Sequence, residues 1–443
     1  MESETAKVGV GRVATVISCS ECDSKDVIIK KARKAYCRPC WKYHCDFRFR
    51  KRLFEFGRPA KGTIGEVFRP AEQVLICYDG SPTSVALINL ALNALVFGNN
   101  QESAAYGTSS NNLPFPFKFS IVVILESELN GSPGVEGRQK KHLHSLLSWT
   151  KHAEKCSDCQ FPLLASCVEM SVKEYHKEGD GSMSNKTPIV VKLTEEGVAN
   201  CPQSQLDEPE IQISNVDNLG LPFNESLDHH LMELRKSLKG KTEDKDFLTV
   251  LKLNLVHQIA EQFKISKILL PEDQTSLAVK MFTMMSLGRG SQVAEEMSFT
   301  STSENGSVYA RPLIDFSDDD LRGYLETLNN ECTDGLVNKS GKRKLKIDSV
   351  DRQCDDFIVN LQKGYPATVS TLTRIGSKLQ SGLDDAISSD VGNSKRRCQF
   401  CNRQSDCASD VLCYGCQHFL NDVHPDKKGH FRNLFLCNPT AKS

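Results

Sequence analysis

Residues 73–97 read QVLICYDGSPTSVALINLALNALVF, and no other short stretch of the chain restricts its fold as tightly. Gln73 to Tyr78 is an apolar run of strand length, without the alternation expected of a strand that has one face in water. Ser84 to Phe97 is apolar on every side at helical spacing, so a helix there has to be covered all round. A strand and a helix that both need burial, joined by small and polar residues, fit a helix laid across a sheet with both faces closed. The pattern recurs. Strands are expected at Phe119–Leu125, Leu163–Met170, Lys267–Leu270 and Val308–Ile314. Helices are expected at 140–154, Glu225–Leu238, Asp246–Phe263, Thr275–Leu287 and Ser317–Asn329. This alternation predicts an α/β fold with a mostly parallel sheet, in which ligands sit beyond the carboxyl ends of the strands.

The α/β pattern occupies roughly 70–330, with polar, Asn/Ser/Gly-rich insertions expected near 98–113 and 173–224. A basic, cysteine-rich module precedes it at 1–62, a helical segment follows at 350–380, and a second cysteine module closes the chain at 395–443. Apolar runs such as Ile121–Leu125 are far too short to cross a bilayer. The start, MESETAKVGV, has no basic flank leading into an apolar run, so no secretory signal is expected. These features predict an intracellular protein with no membrane partner.

Of the 18 cysteines, ten form five Cys-x-x-Cys pairs. Where thiols stay reduced, such pairs point to metal rather than disulfides. Cys19 and Cys22 are followed after fourteen residues by Cys37 and Cys40; Cys398 and Cys401 are followed after eleven by Cys413 and Cys416. Each set can supply four thiolates to a closed tetrahedral zinc site, so zinc is expected at one or two places. His44 and Cys45 could replace one ligand of the first set, and Cys407, His418 or Cys437 one of the second. Cys156 and Cys159 have only Cys167 at a suitable spacing and are expected to be structural or incidental. His142, His144 and His152 lie on a helical segment without a cysteine set and are expected at the surface or in the core.

The formal net charge is −1, yet from Lys30 to Lys61 twelve Lys or Arg stand against only Asp46 and Glu55. Such local asymmetry marks a surface that can meet phosphate. Lys30, Lys31, Arg33, Lys34, Arg48, Arg50, Lys51 and Arg52 are therefore the RNA-binding candidates, while Phe49, Leu53 and Phe56 share one helical stripe expected to pack inward. Lys395, Arg396 and Arg397 form a shorter basic run, read as readily as a linker.

The turn Asp79-Gly80-Ser81-Pro82-Thr83-Ser84 lies between strand and helix, where free N–H groups and the helix dipole can cradle phosphate. It resembles the Ser-Gly-Gly-x-Asp-Ser loop of the PP-loop ATPases that adenylate tRNA, with one of two glycines and the last serine kept. A second family stretch, Gly-His-Asn-x-Asp-Asp-x-Ala-Glu, is matched after Lys267–Leu270 by Pro271 to Val279, with Thr275 and Ser276 in place of the paired aspartates. No cysteine lies between Cys201 and Cys332, where an active member carries its Cys-x-x-Cys pair. Leu277 to Lys280 runs instead into Gly288-Arg289-Gly290-Ser291. With Arg311-Pro312-Leu313 and Thr368 to Thr371, this is similar to the non-catalytic partner subunits of cytoplasmic tRNA-thiolating complexes.

That resemblance implies a PP-loop-type α/β fold (adenine nucleotide alpha hydrolase-like), a degenerate nucleotide loop and no ATP turnover. It also implies a heterodimer with a homologous catalytic subunit that installs 2-thiouridine (mcm5s2U) at the wobble position. The tRNAs would be lysine, glutamate and glutamine isoacceptors, and sulfur would come from a thiocarboxylated ubiquitin-like carrier of the urmylation pathway. Two other readings stand beside it: a divergent adenylating tRNA thiouridylase, and a zinc-dependent interaction protein unrelated to tRNA.

Overall fold

In the computed structural model, the described residues are 18–31, 34–57, 72–99, 118–125, 143–151, 153–154, 163–167, 191–194, 212–215, 225–303, 306–328, 349–365, 367–376, 378–379, 397–403, 412–428 and 431. Two strands, β1 (Val27–Lys31) and β2 (Lys34–Cys37), form an antiparallel hairpin. It leads directly into helix α1 (Arg38–Gly57). The main sheet follows, with β3 (Gln73–Tyr78), β4 (Lys118–Leu125), β5 (Leu163–Cys167), β6 (Val191–Thr194) and β7 (Gln212–Asn215). Its remaining strands are β8 (Lys267–Leu269), β9 (Thr300–Thr302) and β10 (Val308–Ala310).

The order across this eight-stranded sheet is β7-β6-β5-β4-β3-β8-β10-β9. Only β5 with β6 and β9 with β10 run antiparallel, so the expected mostly parallel α/β sheet is borne out. Val74, Leu75 and Ile76 are fully buried, as an uninterrupted apolar strand at the centre requires. Helix α2 (Pro82–Asn99) buries Val85, Ala86, Leu87, Leu90 and Ala91. From β3 the chain builds β4 and β5 to one side, then returns to place β8 on the other. The carboxyl ends of β3 and β8 thus meet where strand order reverses, the usual ligand crevice of such sheets. The turns after Tyr78 and after Leu269 leave the sheet side by side.

The described helices after α2 are α3 (Glu225–Lys236), α4 (Lys241–Gln262), α5 (Gln274–Ser286), α6 (Asp318–Thr327), α7 (Val350–Gly364), α8 (Thr368–Gly376) and α9 (Tyr414–Asn421). Residues 143–151, the short Val293–Glu296 and residues 425–428 are helical as well. Among the described residues no helix is long and apolar enough to cross a membrane. Helices α7 and α8 pack on α5 through Ile358 and Val369 against Ala278 and Val279.

Several boundaries differ from the sequence expectation, each for a physical reason. The stretch 173–224 contributes β6 and β7, short polar strands with little hydrophobic signal. β9 lies in a polar segment that reads as a loop. The strand expected to reach Ile314 stops at Ala310, because Arg311 leaves the ladder for buried ion pairs. Helix α4 starts at Lys241 after Gly240, five residues ahead of the expected Asp246, and its first turn takes Glu243 and Asp244, which suit the helix dipole.

The N-terminal hairpin and α1 share the main core rather than forming a separate one: Tyr36, Trp41, Cys45, Phe49 and Leu53 are buried in it. Trp41 donates its indole N–H to the Asp320 carbonyl of α6 at 3.3 Å. Gly323 permits this approach, since a Cβ there would meet Ile29 at 2.9 Å and the Trp41 nitrogen at 3.2 Å. Beneath the contact, Asn93 of α2 donates to Asp46 at 3.2 Å and to the Tyr324 hydroxyl at 2.9 Å, while Tyr324 donates to Asp46 at 3.3 Å.

Burial pushes the Asp46 carboxyl up to about 6 against the opposing effect of Asn93, Lys42 and Tyr324. The native state therefore keeps a proton that the unfolded chain releases near pH 4. That contribution is present at acid pH and is lost as pH rises through about 6. Asp46→Asn is expected to raise stability near pH 7.5 by about 1–3 kcal/mol and to flatten the decline between about pH 4 and 6. Urea titrations at several pH values read this directly, and an unchanged pH profile would remove the buried carboxyl from the explanation.

Candidate functional site

At the crevice, the turn after β3 takes up two of its own amides. Gly80 takes φ +76°, the left-handed region that glycine reaches without strain. The Asp79 carboxylate accepts the Ser81 N–H at 2.9 Å, and the Ser81 hydroxyl accepts the Ser84 N–H at 3.1 Å. Ser84 returns its hydroxyl to the Ser81 carbonyl at 2.9 Å, and Val85 N–H closes on the same carbonyl at 3.1 Å. Pro82, which has no N–H, opens α2, with Thr83 beside it. A pyrophosphate cradle needs amides directed at the anion, and here a carboxylate and a hydroxyl already take those of Ser81 and Ser84.

The neighbouring turn is filled in the same way. Asp273 caps α5 by accepting the Ser276 N–H at 2.8 Å, and the Ser276 hydroxyl takes the Asp273 N–H at 2.8 Å. The adjacent Glu272 binds Lys280 at 2.7 Å and Arg311 at 2.6 Å. Both helix N-termini facing the crevice therefore hold negative charge supplied by the chain itself.

Both predicted cysteine sets assemble. Cys19, Cys22, Cys37 and Cys40 converge from the loop before β1 and the β2–α1 junction, and Cys398, Cys401, Cys413 and Cys416 from a knuckle and the start of α9. In each set the four sulfurs lie within 4.8 Å of one another. Cys22 and Cys37 are 3.5 Å apart, Cys401 and Cys413 3.8 Å. Four thiolates about 2.3 Å from one ion define a tetrahedron with edges of about 3.8 Å. Each cage thus has the dimensions of a single-ion site. In a four-iron cluster each cysteine binds a different iron, which spreads the sulfurs over a larger cage. His44 stacks on Tyr36 and Trp41, and Cys45 is buried in the core, so neither replaces a ligand. His418 faces Asp422. Cys156, Cys159, Cys407, Cys437, His142 and His152 lie outside the described residues.

The C-terminal cage is built into the α/β body. With Phe400, Phe419 and Phe431, its cysteines join Leu231 and Leu234 of α3 and Phe247, Val250 and Leu251 of α4 in a second apolar cluster. The Gly288-Arg289-Gly290-Ser291 motif is the joint. Arg289, 3% exposed, forms a two-pronged pair with Asp246 of α4 and donates to Cys416 at 3.7 Å. Gly288 has φ +71°, and a Cβ there would lie 2.7 Å from the Tyr414 ring. A Cβ on Gly415 would meet the Arg289 side chain at 2.5 Å. Gly290 and Ser291 begin the single 3-10 turn that follows. A guanidinium donating to a cysteine sulfur would offset the negative charge that four thiolates leave around one divalent ion, were one bound there.

A buried charge cluster lies next to this joint. Glu296 accepts from Lys280 at 2.5 Å, Arg311 at 2.8 Å and Arg403 at 2.6 Å. Lys280 and Arg311 lie in stretches quoted above, but nothing local joins them to Glu272, Glu296 and Arg403, which are spread from residue 272 to 403. The available signal was the pairing of isolated charges with apolar neighbours, as in Ala310-Arg311-Pro312-Leu313.

The basic candidates divide. Lys31 binds Asp320 at 2.5 Å, Arg48 binds Asp320 and lies 4.3 Å over the Phe316 ring, and Arg52 binds Asp315 at 3.0 Å. These three tie α1 and the hairpin to Asp315 and the acidic start of α6, Lys31 while still partly exposed. Lys34 pairs with Glu21 at the surface. Lys30 and Lys51 are exposed, Arg50 is half-buried, and Arg33 lies outside the described residues.

Fold and site together define an α/β protein with two four-cysteine cages that could each hold a metal ion and a strand-to-helix turn bonded to itself. A family model described as cytoplasmic tRNA 2-thiolation protein 2 matches residues 349–411. The chain resembles the human protein of that name, 25% identical over 415 residues, covering 90% of this chain and 74% of the relative. It is also similar to cytoplasmic tRNA 2-thiolation protein 2-A of Xenopus laevis, 24% identical over 456 residues, covering 98% and 81%. Among solved structures it matches the U34-tRNA thiolase NcsA from Methanococcus maripaludis with its [4Fe-4S] cluster. That match has a TM-score of 0.46 and 12% identity, covering 92% of this chain and 97% of the other.

Proposed function

We propose that this chain is a cytoplasmic, non-catalytic subunit required for 2-thiolation of the wobble uridine of tRNA. The similarity to cytoplasmic tRNA 2-thiolation protein 2 over most of the chain supports a role in that modification. The observation that carries the non-catalytic assignment is the turn after β3, where Asp79 and Ser81 take the Ser81 and Ser84 amides. Phosphate would have to displace a carboxylate to enter, and the adjacent α5 terminus repeats the obstacle with Asp273.

In this reading a homologous PP-loop subunit adenylates the uridine, with sulfur delivered by a thiocarboxylated ubiquitin-like carrier. This chain holds that subunit and contributes its N-terminal basic surface to lysine, glutamate and glutamine tRNAs. Zinc fits both cages: it takes four thiolates tetrahedrally and supplies structure without redox chemistry. The domain limits 1–62, 70–330, 350–380 and 395–443 are proposed as the units of that assembly.

The isolated chain, given ATP, labelled pyrophosphate and unmodified tRNA, is expected to show no ATP–pyrophosphate exchange and no thiolated tRNA on mercury-containing gels. Both should appear with the co-purified catalytic subunit and sulfur carrier. Exchange by the chain alone would overturn the assignment.

A further inference from the structure

The two cysteine cages share a backbone design and differ in what surrounds them. In the first, the Cys19 N–H donates to the Ser24 carbonyl at 2.7 Å and the Asp23 N–H to the Cys19 carbonyl at 3.0 Å. In the second, the Cys398 N–H donates to the Arg403 carbonyl and the Asn402 N–H to the Cys398 carbonyl, both at 2.9 Å. Asp23 and Asn402, each directly after the second cysteine of its pair, take φ +57° and +54°. Ligand type, spacing within the pair and turn geometry match, so a difference in metal handling has to come from the surroundings.

Those surroundings are opposite. Around the N-terminal cage Ser20, Glu21, Cys22, Asp23 and Arg38 are exposed, and Cys40 is half-buried. The four cysteines of the C-terminal cage are at most 6% exposed. Phe400 and Phe419 stack with each other and with Phe247 in the same cluster, Arg289 donates to Cys416, and Arg403 of the knuckle is tied to Glu296. A ligand reaching for an ion there has to open an apolar cluster and buried ion pairs. At the first cage it has to displace one exposed thiolate.

The anchoring differs as well. The hairpin and α1 are fixed by Trp41, Cys45, Phe49 and Leu53 in the main core and by Lys31 and Arg48 on Asp320. None of these contacts uses a ligand of the N-terminal cage, whereas the C-terminal cysteines are themselves members of the second apolar cluster.

We infer that the N-terminal cage is an exchangeable metal site, which yields its ion to thiol-bearing or other chelating ligands and regains it while the body stays folded, and that the C-terminal cage keeps its ion as long as the fold persists. The inference rests on the zinc reading above but not on the tRNA role. Exchange is ligand substitution: Cys22 Sγ leaves as a donor atom of the incoming ligand takes its place, and no electrons are transferred. Release from the buried cage waits on local unfolding, which is rarest where packing is densest.

The test uses full-length protein holding two zinc ions, mixed with excess 4-(2-pyridylazo)resorcinol, which changes colour on binding zinc. Two release phases of one ion each are expected, with rates at least about 100-fold apart. N-Ethylmaleimide added between them, followed by peptide mass mapping, should label Cys19, Cys22, Cys37 and Cys40 and spare Cys398, Cys401, Cys413 and Cys416. The singly depleted protein should keep its main thermal transition, and added zinc should restore the second ion. Cys22→Ser should abolish the fast phase and leave the slow rate unchanged. Release of both ions at one rate, or early labelling of the C-terminal set, would overturn the inference and leave both cages as zinc sites. Loss of the main transition along with the first ion would also overturn it, since that cage would then support the body. A protein that takes up no zinc would overturn the metal reading and this inference with it.

Discussion

Cys398→Ser combined with Cys413→Ser is expected to abolish folding of the C-terminal region and, on the proposed zinc assignment, to lower bound metal from two ions to one per chain. The C-terminal cage closes an apolar cluster that includes Phe247, Phe400, Phe419 and Phe431 and that joins residues 397–403 to 412–431. A structural zinc site contributes about 10–16 kcal/mol of apparent binding free energy, comparable with the whole net stability of a domain. Arg289 would keep Asp246 and Cys416, neither of which is altered, while the cage around Cys416 opens. Helices α3 and α4 would then expose Leu231, Leu234 and Val250. Elemental analysis and limited proteolysis read the result: one ion per chain, with early cleavage around 397–431. A variant holding one ion but melting and resisting protease like wild type would show that the cage does not support the fold.

Glu296→Ala is expected to cost about 3–5 kcal/mol, since removing one member of a buried ionic cluster leaves the others uncompensated. Lys280, Arg311 and Arg403 would share only Glu272, which contacts the first two of them. Glu296→Gln should lose most of the same amount, because the missing quantity is charge rather than volume. Burial opposes ionisation of Glu296, but Lys280, Arg403 and Arg311 outweigh it and hold the carboxyl well below the usual range. Burial of Glu272 is likewise outweighed by Lys280 and Arg311. For both groups the folded state favours the ionised form, so their contribution is present above the unfolded value of about 4.5 and is lost as pH falls below it. Urea unfolding at pH 7 and pH 4 should show the wild type approaching the variant at the lower pH. A constant gap between them would place the stabilisation elsewhere.

Much of this architecture was legible beforehand. The continuous apolar run 74–76 and the all-round apolar helix after it can be buried only inside a covered sheet, so class and strand sense followed from local sequence. The Cys-x-x-Cys spacings identified both cages, because thiolates within a short loop can reach one ion whatever the rest of the fold does. Loss of the glycine and of the paired aspartates was equally visible at residues 79–84 and 271–279.

Long-range partners were not legible. Whether Arg48 meets RNA or Asp320 depends on α6 being folded against α1, across more than 270 intervening residues. The role of Gly288 to Ser291 as a joint to the second cage, and the convergence of Glu272, Lys280, Glu296, Arg311 and Arg403, likewise exist only once distant segments are in contact. Local pattern is set by hydrophobic periodicity and ligand spacing, which act over a few residues. A charge gives no local sign of its partner, because desolvation and pairing are decided by whatever tertiary packing brings beside it.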